Sequence, residues 1–96
     1  MHVLVTYDVS TETPAGRRRL ARVAQQCKNF GQRVQKSVFE CSVNEMHYER
    51  LIRALVKIID KEEDSLRIYH LREPLENHVR VFGWDKKVDF EKPLVV

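Results

Sequence analysis

The stretch VLVTYDVS, residues 3–10, contains a short apolar run that is followed by an acid, Asp8. Its β-branched and aromatic residues predict a first strand from about His2 to Asp8. Asp8 then stands at the carboxyl end of that strand, and the long segment after it is rich in arginine. The pattern raises the question of what one carboxylate does at a strand end beside so basic a segment.

The chain has 96 residues, which is the size of one small domain. Because so short a chain buries a smaller fraction of its surface than a longer one, self-association would add burial. A hydrophobic content of 43% with 32% charged residues is typical of a globular protein. The sequence has neither a membrane-length apolar run nor the basic and hydrophobic regions of a signal peptide. We therefore expect a cytoplasmic protein with no membrane partner.

The charge is unevenly distributed along the chain. Between Thr13 and Phe39 there are seven basic residues and no acidic one, whereas the rest of the chain holds ten basic and fourteen acidic residues. The seven are Arg17, Arg18, Arg19, Arg22, Lys28, Arg33 and Lys36. Such a segment predicts a positive surface that attracts a polyanion, although a merely solvated basic helix would show the same charge.

The two cysteines and four histidines do not form a recognisable metal motif. Cys27 and Cys41 fall inside predicted regular elements without a C-x-x-C pattern, so we interpret them as two small buried thiols. The histidines are scattered, and each is left open as a general base. They are His2, His47, His70 and His78.

The first helix follows the loop after Asp8. Thr13 is a suitable N-cap and Pro14 a suitable first residue, and the apolar spacing then continues through Lys28. Asn29 and Gly31 provide a stop at the carboxyl end.

The segment GQRVQKSVFECSV, residues 31–43, is rich in β-forming residues, but its alternation changes phase. Val34 lies on the even positions, whereas the apolar residues from Phe39 onward lie on the odd ones. Because one continuous strand cannot bury both sets on one face, a turn near Lys36 and Ser37 and two short strands are predicted.

The second half of the chain completes the pattern. Asn44 caps a second helix with an apolar stripe, and SLRIYHL (65–71) and HVRVFG (78–83) each predict a strand. The order β-α-β-β-α-β, with one additional C-terminal strand, predicts an α+β fold of the ferredoxin-like kind over residues 1–83. The apolar tail, residues 84–96, would pack on its own domain or exchange with a partner protomer, and exchange is favoured.

Asp8 is the best candidate for chemistry. Thr13 and Pro14 already begin the helix, so a capping role for Asp8 is weakened, and a carboxylate beside a basic helix suits a hard cation and a phosphate. One aspartate is a sparse site, but a two-fold dimer would bring in its symmetry mate. The second constellation is Arg33, Ser37 and Phe39. It lacks the pattern of an RNA-recognition motif, and Phe39 is more typical of a core or dimer interface.

Four stretches carry a resemblance to a known family: YDV at 7–9, RRRL at 17–20, GQRVQKSVFEC at 31–41 and DSLRIYHL at 64–71. Together they resemble the CRISPR-associated protein Cas2 family, in the subtype with an S-V-F-E-C motif. The resemblance implies a ferredoxin-like fold and a homodimer whose sheets face each other, with the C-terminal strand crossing to the partner. It also implies a divalent-metal-dependent phosphodiesterase acting on duplex DNA or RNA, and a partnership with the CRISPR integrase.

Carried over by motif, Asp8 is the catalytic metal ligand for Mg²⁺ or Mn²⁺, and Tyr7 is its catalytic neighbour. The residues that this resemblance implies for nucleic-acid binding are Arg17, Arg18, Arg19, Arg33, Ser37 and Phe39, and the run of three arginines leaves open which of them contacts phosphate. The expected function is a metal-dependent endonuclease of CRISPR adaptation, acting in spacer acquisition, with duplex DNA the favoured substrate and RNA the alternative. The runner-up is a non-catalytic DNA-binding scaffold of the integrase complex, and a small-molecule regulatory domain is a third possibility.

Overall fold

The computed structural model describes residues 1–84. Its elements are β1 (His2–Asp8), α1 (Pro14–Phe30), β2 (Gly31–Gln35), β3 (Val38–Ser42), α2 (Glu45–Ile58) and β4 (Ser65–Leu71), followed by a short 3-10 turn at Leu75–Asn77. The prediction of an exchanged apolar tail concerns residues 84–96, which lie outside the described residues except for Trp84.

The four strands form one antiparallel sheet in the order β2-β3-β1-β4, with both helices on one face. This is the ferredoxin-like arrangement, so the predicted fold class is confirmed. Along β1, burial alternates: Val3, Val5 and Tyr7 face the helices, whereas the residues between them lie on the opposite face. We call this second, helix-free side the open face of the sheet.

The helices begin where the sequence predicts. The Thr13 hydroxyl accepts a hydrogen bond from the Gly16 amide at 3.0 Å, and the Asn44 side chain accepts one from the His47 amide at 2.8 Å. The apolar face of each helix packs on the sheet, and the core consists of these two faces and the inward residues of β1 and β3. Its fully buried members are Val3, Val5, Val23, Cys27, Phe39, Cys41, Leu51 and Leu55.

The predicted turn between β2 and β3 is confirmed at Lys36 and Ser37. The register explains the change of phase: Arg33 pairs with Phe39, but Gln35 pairs with Val38, so the ladder is irregular at the residue between them. That extra residue is a β-bulge, which shifts the alternation of a strand by one position.

The prediction of buried thiols is also confirmed. Cys27 on α1 and Cys41 on β3 are both inaccessible to solvent and unbonded to each other. Burial raises the pKa of Cys27 to about 12 and that of Cys41 to about 11. Both groups are therefore protonated, unreactive thiols at neutral pH.

The additional strand predicted at HVRVFG, residues 78–83, is wrong for the chain as described. This segment has no ladder partner within residues 1–84, and Val81 and Phe82 are exposed. Alternating valines give a segment the pattern of a strand, but a strand also needs a neighbouring backbone with which to form hydrogen bonds.

Neither helix within residues 1–84 is long and apolar enough to cross a bilayer.

Candidate active site

Asp8 is the last residue of β1 and is exposed to solvent on the open face of the sheet. Its neighbour across the ladder is Ser65, the first residue of β4. Within residues 1–84 its carboxylate has no hydrogen-bond or ion-pair partner. The structure therefore places an uncompensated acid at the end of the sheet from which α1 begins.

Tyr7 lies on the opposite face of β1 and is only 6% exposed. Its amide donates a hydrogen bond to the Ser37 carbonyl at 3.1 Å, which fastens the end of β1 to the β2–β3 turn. Its ring stacks on Phe39 with centroids 6.3 Å apart. Tyr7 and Ser37 thus support the strand end that carries Asp8, and the Tyr7 side chain points away from that carboxylate.

Arg33 lies on the helix side of β2, with its guanidinium 5.1 Å from the centre of the Phe39 ring. Two buried polar atoms meet no hydrogen-bond partner in this region, the Tyr7 hydroxyl and Arg33 Nε. Burial raises the pKa of Tyr7, and the nearby Arg33 guanidinium opposes that rise without forming a hydrogen bond of good geometry.

Phe39 is completely buried in the core. It therefore presents no surface on which a base could stack, and its position agrees with the interpretation of this residue as core. Ser37, by contrast, is half-buried in the turn at the same sheet end as Asp8.

The three consecutive arginines have different environments. The Arg17 guanidinium is exposed and donates to the Thr11 carbonyl at 3.0 Å, and Arg18 is exposed with no partner among the described residues. Arg19 is instead turned inward, where its Nε lies 2.8 Å from Oδ2 of Asp64. Arg17 and Arg18 therefore remain open to a phosphate, whereas Arg19 is engaged with the protein itself.

Asp64 is the important residue that the sequence analysis missed. Its side chain is fully buried and accepts hydrogen bonds from Arg19, from the Ser10 amide at 3.0 Å and from the Asp60 amide at 2.8 Å. The Arg19 hydrogen bond, followed by the two amides, holds the pKa of Asp64 below its usual range despite burial. In the sequence Asp64 is one acid among several near the start of a strand, and nothing local marks it as buried.

No histidine within residues 1–84 contacts Asp8, and His78 lies beyond the last residue of β4, which pairs with His2 at the start of β1. His2 begins the same strand, six residues or about 20 Å away at roughly 3.3 Å per residue, and its ring contacts Glu73 at 3.0 Å. His70 lies 3.3 Å from the Tyr48 hydroxyl, and His47 packs edge-on against Phe30. No arrangement of a histidine base beside the candidate carboxylate is present in the described part of the chain.

The residues at the end of β1 fit a divalent cation in the type of donor they offer. Carboxylate oxygen is the ligand that Mg²⁺ and Mn²⁺ prefer, and the Asp8 carboxylate is exposed and unpaired within residues 1–84. A single chain supplies few such ligands, since no group of three or more His, Cys, Asp or Glu residues capable of holding a metal occurs in residues 1–84.

The family profile described as CRISPR associated protein Cas2 matches residues 1–79. This chain belongs to that family. Two curated Cas2 relatives cover nearly the whole chain. One is named CRISPR-associated endoribonuclease Cas2 1, from Moorella thermoacetica, and is 58% identical over 96 residues, which is all of both chains. The other is named CRISPR-associated endonuclease Cas2, from Halalkalibacterium halodurans, and is 46% identical over 95 residues, 99% of each chain.

Solved structures agree with the Cas2 assignment. The crystal structure of Streptococcus pyogenes Cas2 at pH 6.5 superposes with a TM-score of 0.78 and 52% identity, covering 86% of this chain and all of that one. A hypothetical protein from Thermus thermophilus superposes with a TM-score of 0.73 and 33% identity, over 88% of this chain and 92% of that one. The resemblance inferred from the motifs is therefore confirmed, and the chain stands among CRISPR-associated proteins whose curated relatives are named nucleases.

Proposed function

We propose that this Cas2 chain is a divalent-metal-dependent endonuclease of the CRISPR adaptation machinery, which hydrolyses phosphodiester bonds of DNA or RNA during spacer acquisition. The observation that carries the proposal is Asp8, an exposed carboxylate with no partner within residues 1–84, at the sheet end where α1 presents Arg17 and Arg18. Relatives named endoribonuclease and endonuclease support the reaction class and leave DNA and RNA as alternatives.

The active unit is a homodimer in which two open faces meet. The open face carries Leu4, Val38 and Tyr69, and no element between residues 1 and 84 covers the end of it that holds Asp8. Because a two-fold axis places each residue opposite its own mate when it lies near the axis, this pairing would bring the two Asp8 carboxylates together.

The paired Asp8 carboxylates would hold Mg²⁺ or Mn²⁺. A bound cation of this kind polarises a phosphate and lowers the pKa of an attacking water. Arg17 and Arg18 would hold the neighbouring phosphates of the substrate and offset the charge that develops on the reacting one. Tyr7 and Ser37 keep the end of β1 fixed through their backbone hydrogen bond, so that Asp8 retains its position.

The experiment measures hydrolysis of duplex DNA and of single-stranded RNA by purified protein with Mg²⁺ or Mn²⁺. Asp8→Asn and excess EDTA should each abolish cleavage, whereas Glu12→Gln, which removes an equal charge from an exposed residue of the neighbouring loop, should keep it. Cleavage that survives in the Asp8→Asn protein would contradict the catalytic proposal.

The exposed arginines also favour a second candidate, a DNA-binding scaffold of the CRISPR integrase complex. Phosphate contacts by Arg17 and Arg18 would position a duplex without any chemistry at Asp8. Spacer acquisition in cells separates the two functions. If acquisition persists with Asp8→Asn, the scaffold role is sufficient, and if acquisition is lost while the complex still assembles, catalysis by this chain is required.

A further inference from the structure

The buried carboxylate of Asp64 joins three segments of the chain. Its Oδ1 accepts from the Ser10 amide, and its Oδ2 accepts from the Asp60 amide and from Nε of Arg19. A second, longer contact runs from Arg19 to Oδ1 at 3.4 Å. The network therefore ties the loop after β1, the first half of α1 and the turn before β4 to one carboxylate.

Asp64 is connected to the surroundings of Asp8 in two ways, by a hydrogen bond to Ser10 and by its place in the chain next to Ser65. Ser10 is two residues further along the chain, so its bond to Asp64 fixes the course of the backbone as it leaves β1. Ser65 follows Asp64 directly and is the residue paired with Asp8 in the β1–β4 ladder. Asp64 thus restrains both the loop that follows Asp8 and the first residue of the strand beside it.

Asp64 cannot itself touch a substrate in this structure, because its side chain has no exposed surface. Residues that orient a ligand or a catalytic group are important even without contact, since small displacements of that group lower the rate strongly. Asp8 has no side-chain partner within residues 1–84, so its direction depends on the backbone that carries it.

We propose that Asp64 is a positioning residue for Asp8, which holds the backbone that follows Asp8 and the start of the strand paired with it, and contacts neither nucleic acid nor metal. The inference rests on the proposed function for the role of Asp8. In this proposal Arg19 has a structural role, since its positive charge offsets the cost of burying the Asp64 carboxylate.

The test compares Asp64→Asn with a matched control, Glu63→Gln. Glu63 is the exposed acid that also approaches Arg19, at 3.6 Å, but it accepts no backbone hydrogen bond from the loop after β1. For Asp64→Asn we expect kcat to fall about tenfold or more with KM nearly unchanged. For Glu63→Gln both constants should stay within about twofold of the wild type. A raised KM with unchanged kcat, or equal effects of the two substitutions, would overturn the proposal.

Hydrogen exchange at the Ser10 amide provides a readout that needs no activity. Exchange there should be about tenfold faster in Asp64→Ala and unchanged in Glu63→Gln, since only the first substitution removes the acceptor of that amide. If the wild type hydrolyses nothing, the proposed function has failed, and this measurement alone decides whether Asp64 restrains the loop. An unchanged exchange rate would refute it.

Arg19→Lys answers the same question should Asp64→Asn fail to fold. The lysine keeps the positive charge but cannot reach both carboxylate oxygens of Asp64 as the guanidinium does, so kcat should fall by about threefold with KM unchanged. A raised KM would show that Arg19 binds the substrate, which would contradict its assignment to the Asp64 network.

Discussion

At the scale of single residues, Asp8 and Asp64 lie at the same end of the sheet in opposite environments. Asp8 is exposed and unpaired within residues 1–84, whereas Asp64 is buried and accepts hydrogen bonds from Arg19 and two amides. The sequence could indicate Asp8, because an acid that ends an apolar strand is visible locally. It could not indicate Asp64, since its burial depends on contacts with residues 45 and 54 positions away.

The sequence is equally unable to show which of Arg17, Arg18 and Arg19 is engaged within the protein. Successive helical residues point about 100° apart, so one of three consecutive arginines must differ from the others in its surroundings. The sequence does not say which one, because the answer depends on where Asp64 lies. In the structure Arg19 is engaged with Asp64, whereas Arg17 and Arg18 are both exposed.

The first prediction concerns stability in acid. Since the pKa of Asp64 is lower in the folded chain than in the unfolded one, its stabilising effect is complete above the unfolded value of about 4. The effect is lost as the pH falls through the folded pKa. Urea unfolding between pH 6 and pH 3 should therefore show a steeper loss of stability for the wild type than for Asp64→Asn. Glu62→Gln, at an exposed site, should follow the wild type, and a wild-type slope in Asp64→Asn would contradict the assignment.

The second prediction concerns binding by Arg18. If its guanidinium binds a phosphate, Arg18→Gln should weaken duplex binding and reduce the slope of log K against log salt by about 1 for each phosphate that is no longer neutralised. Arg72→Gln is the control, since Arg72 is exposed beyond β4 at the opposite end of the sheet. Fluorescence anisotropy at several salt concentrations measures both slopes. Equal reductions in the two variants would show a general charge effect instead of a local interaction.

At the scale of elements, the hydrophobic periods predicted the two helices and the four strands of the sheet, because each of these elements buries one face, together with a fifth strand at residues 78–83. The β2–β3 hairpin was predictable because its phase change breaks the alternation. The prediction that Gly31 ends the first helix is confirmed, because Gly31 is the C-cap of α1 and its amide donates to the Cys27 carbonyl. Its second role was not predictable: a Cβ at Gly31 would meet Cys41 Sγ at 2.6 Å. Gly31 is therefore required by the close approach of β3, which only the folded sheet reveals.

The segment 78–83 shows the opposite error. Its alternation is genuine, yet residues 1–84 offer it no ladder partner, so the pattern alone overestimated the sheet. Periodicity indicates which residues can share a face, but the partner of a strand is a property of the assembled molecule.

The third prediction tests the packing of Gly31. Gly31→Ala forces a methyl group against Glu40 and Cys41 of β3, which should destabilise the fold by about 2 kcal/mol, a typical cost of overpacking. Urea unfolding measures this change. Gln32→Ala, the next residue on the same strand, should change stability by less than about 0.5 kcal/mol. Equal stability of Gly31→Ala and the wild type would show that β3 can move away without cost.

At the scale of the whole molecule, the two sides of the sheet differ in character. The helix side contributes exposed basic residues, among them Arg18, Arg22 and Lys28, and the open face ends in the Asp8 carboxylate. This division places the exposed basic residues next to a candidate cation site. In the proposed mechanism, a second copy of the chain would supply the second carboxylate of that site. A monomer would offer one aspartate, and a dimer would offer two.

The most direct test of this claim is the stoichiometry of tight Mn²⁺ binding, followed by electron paramagnetic resonance as the ion is added to purified protein. We expect one tight Mn²⁺ for every two chains in the wild type and none in Asp8→Asn. One ion in each chain, or tight binding that Asp8→Asn leaves undiminished, would contradict it.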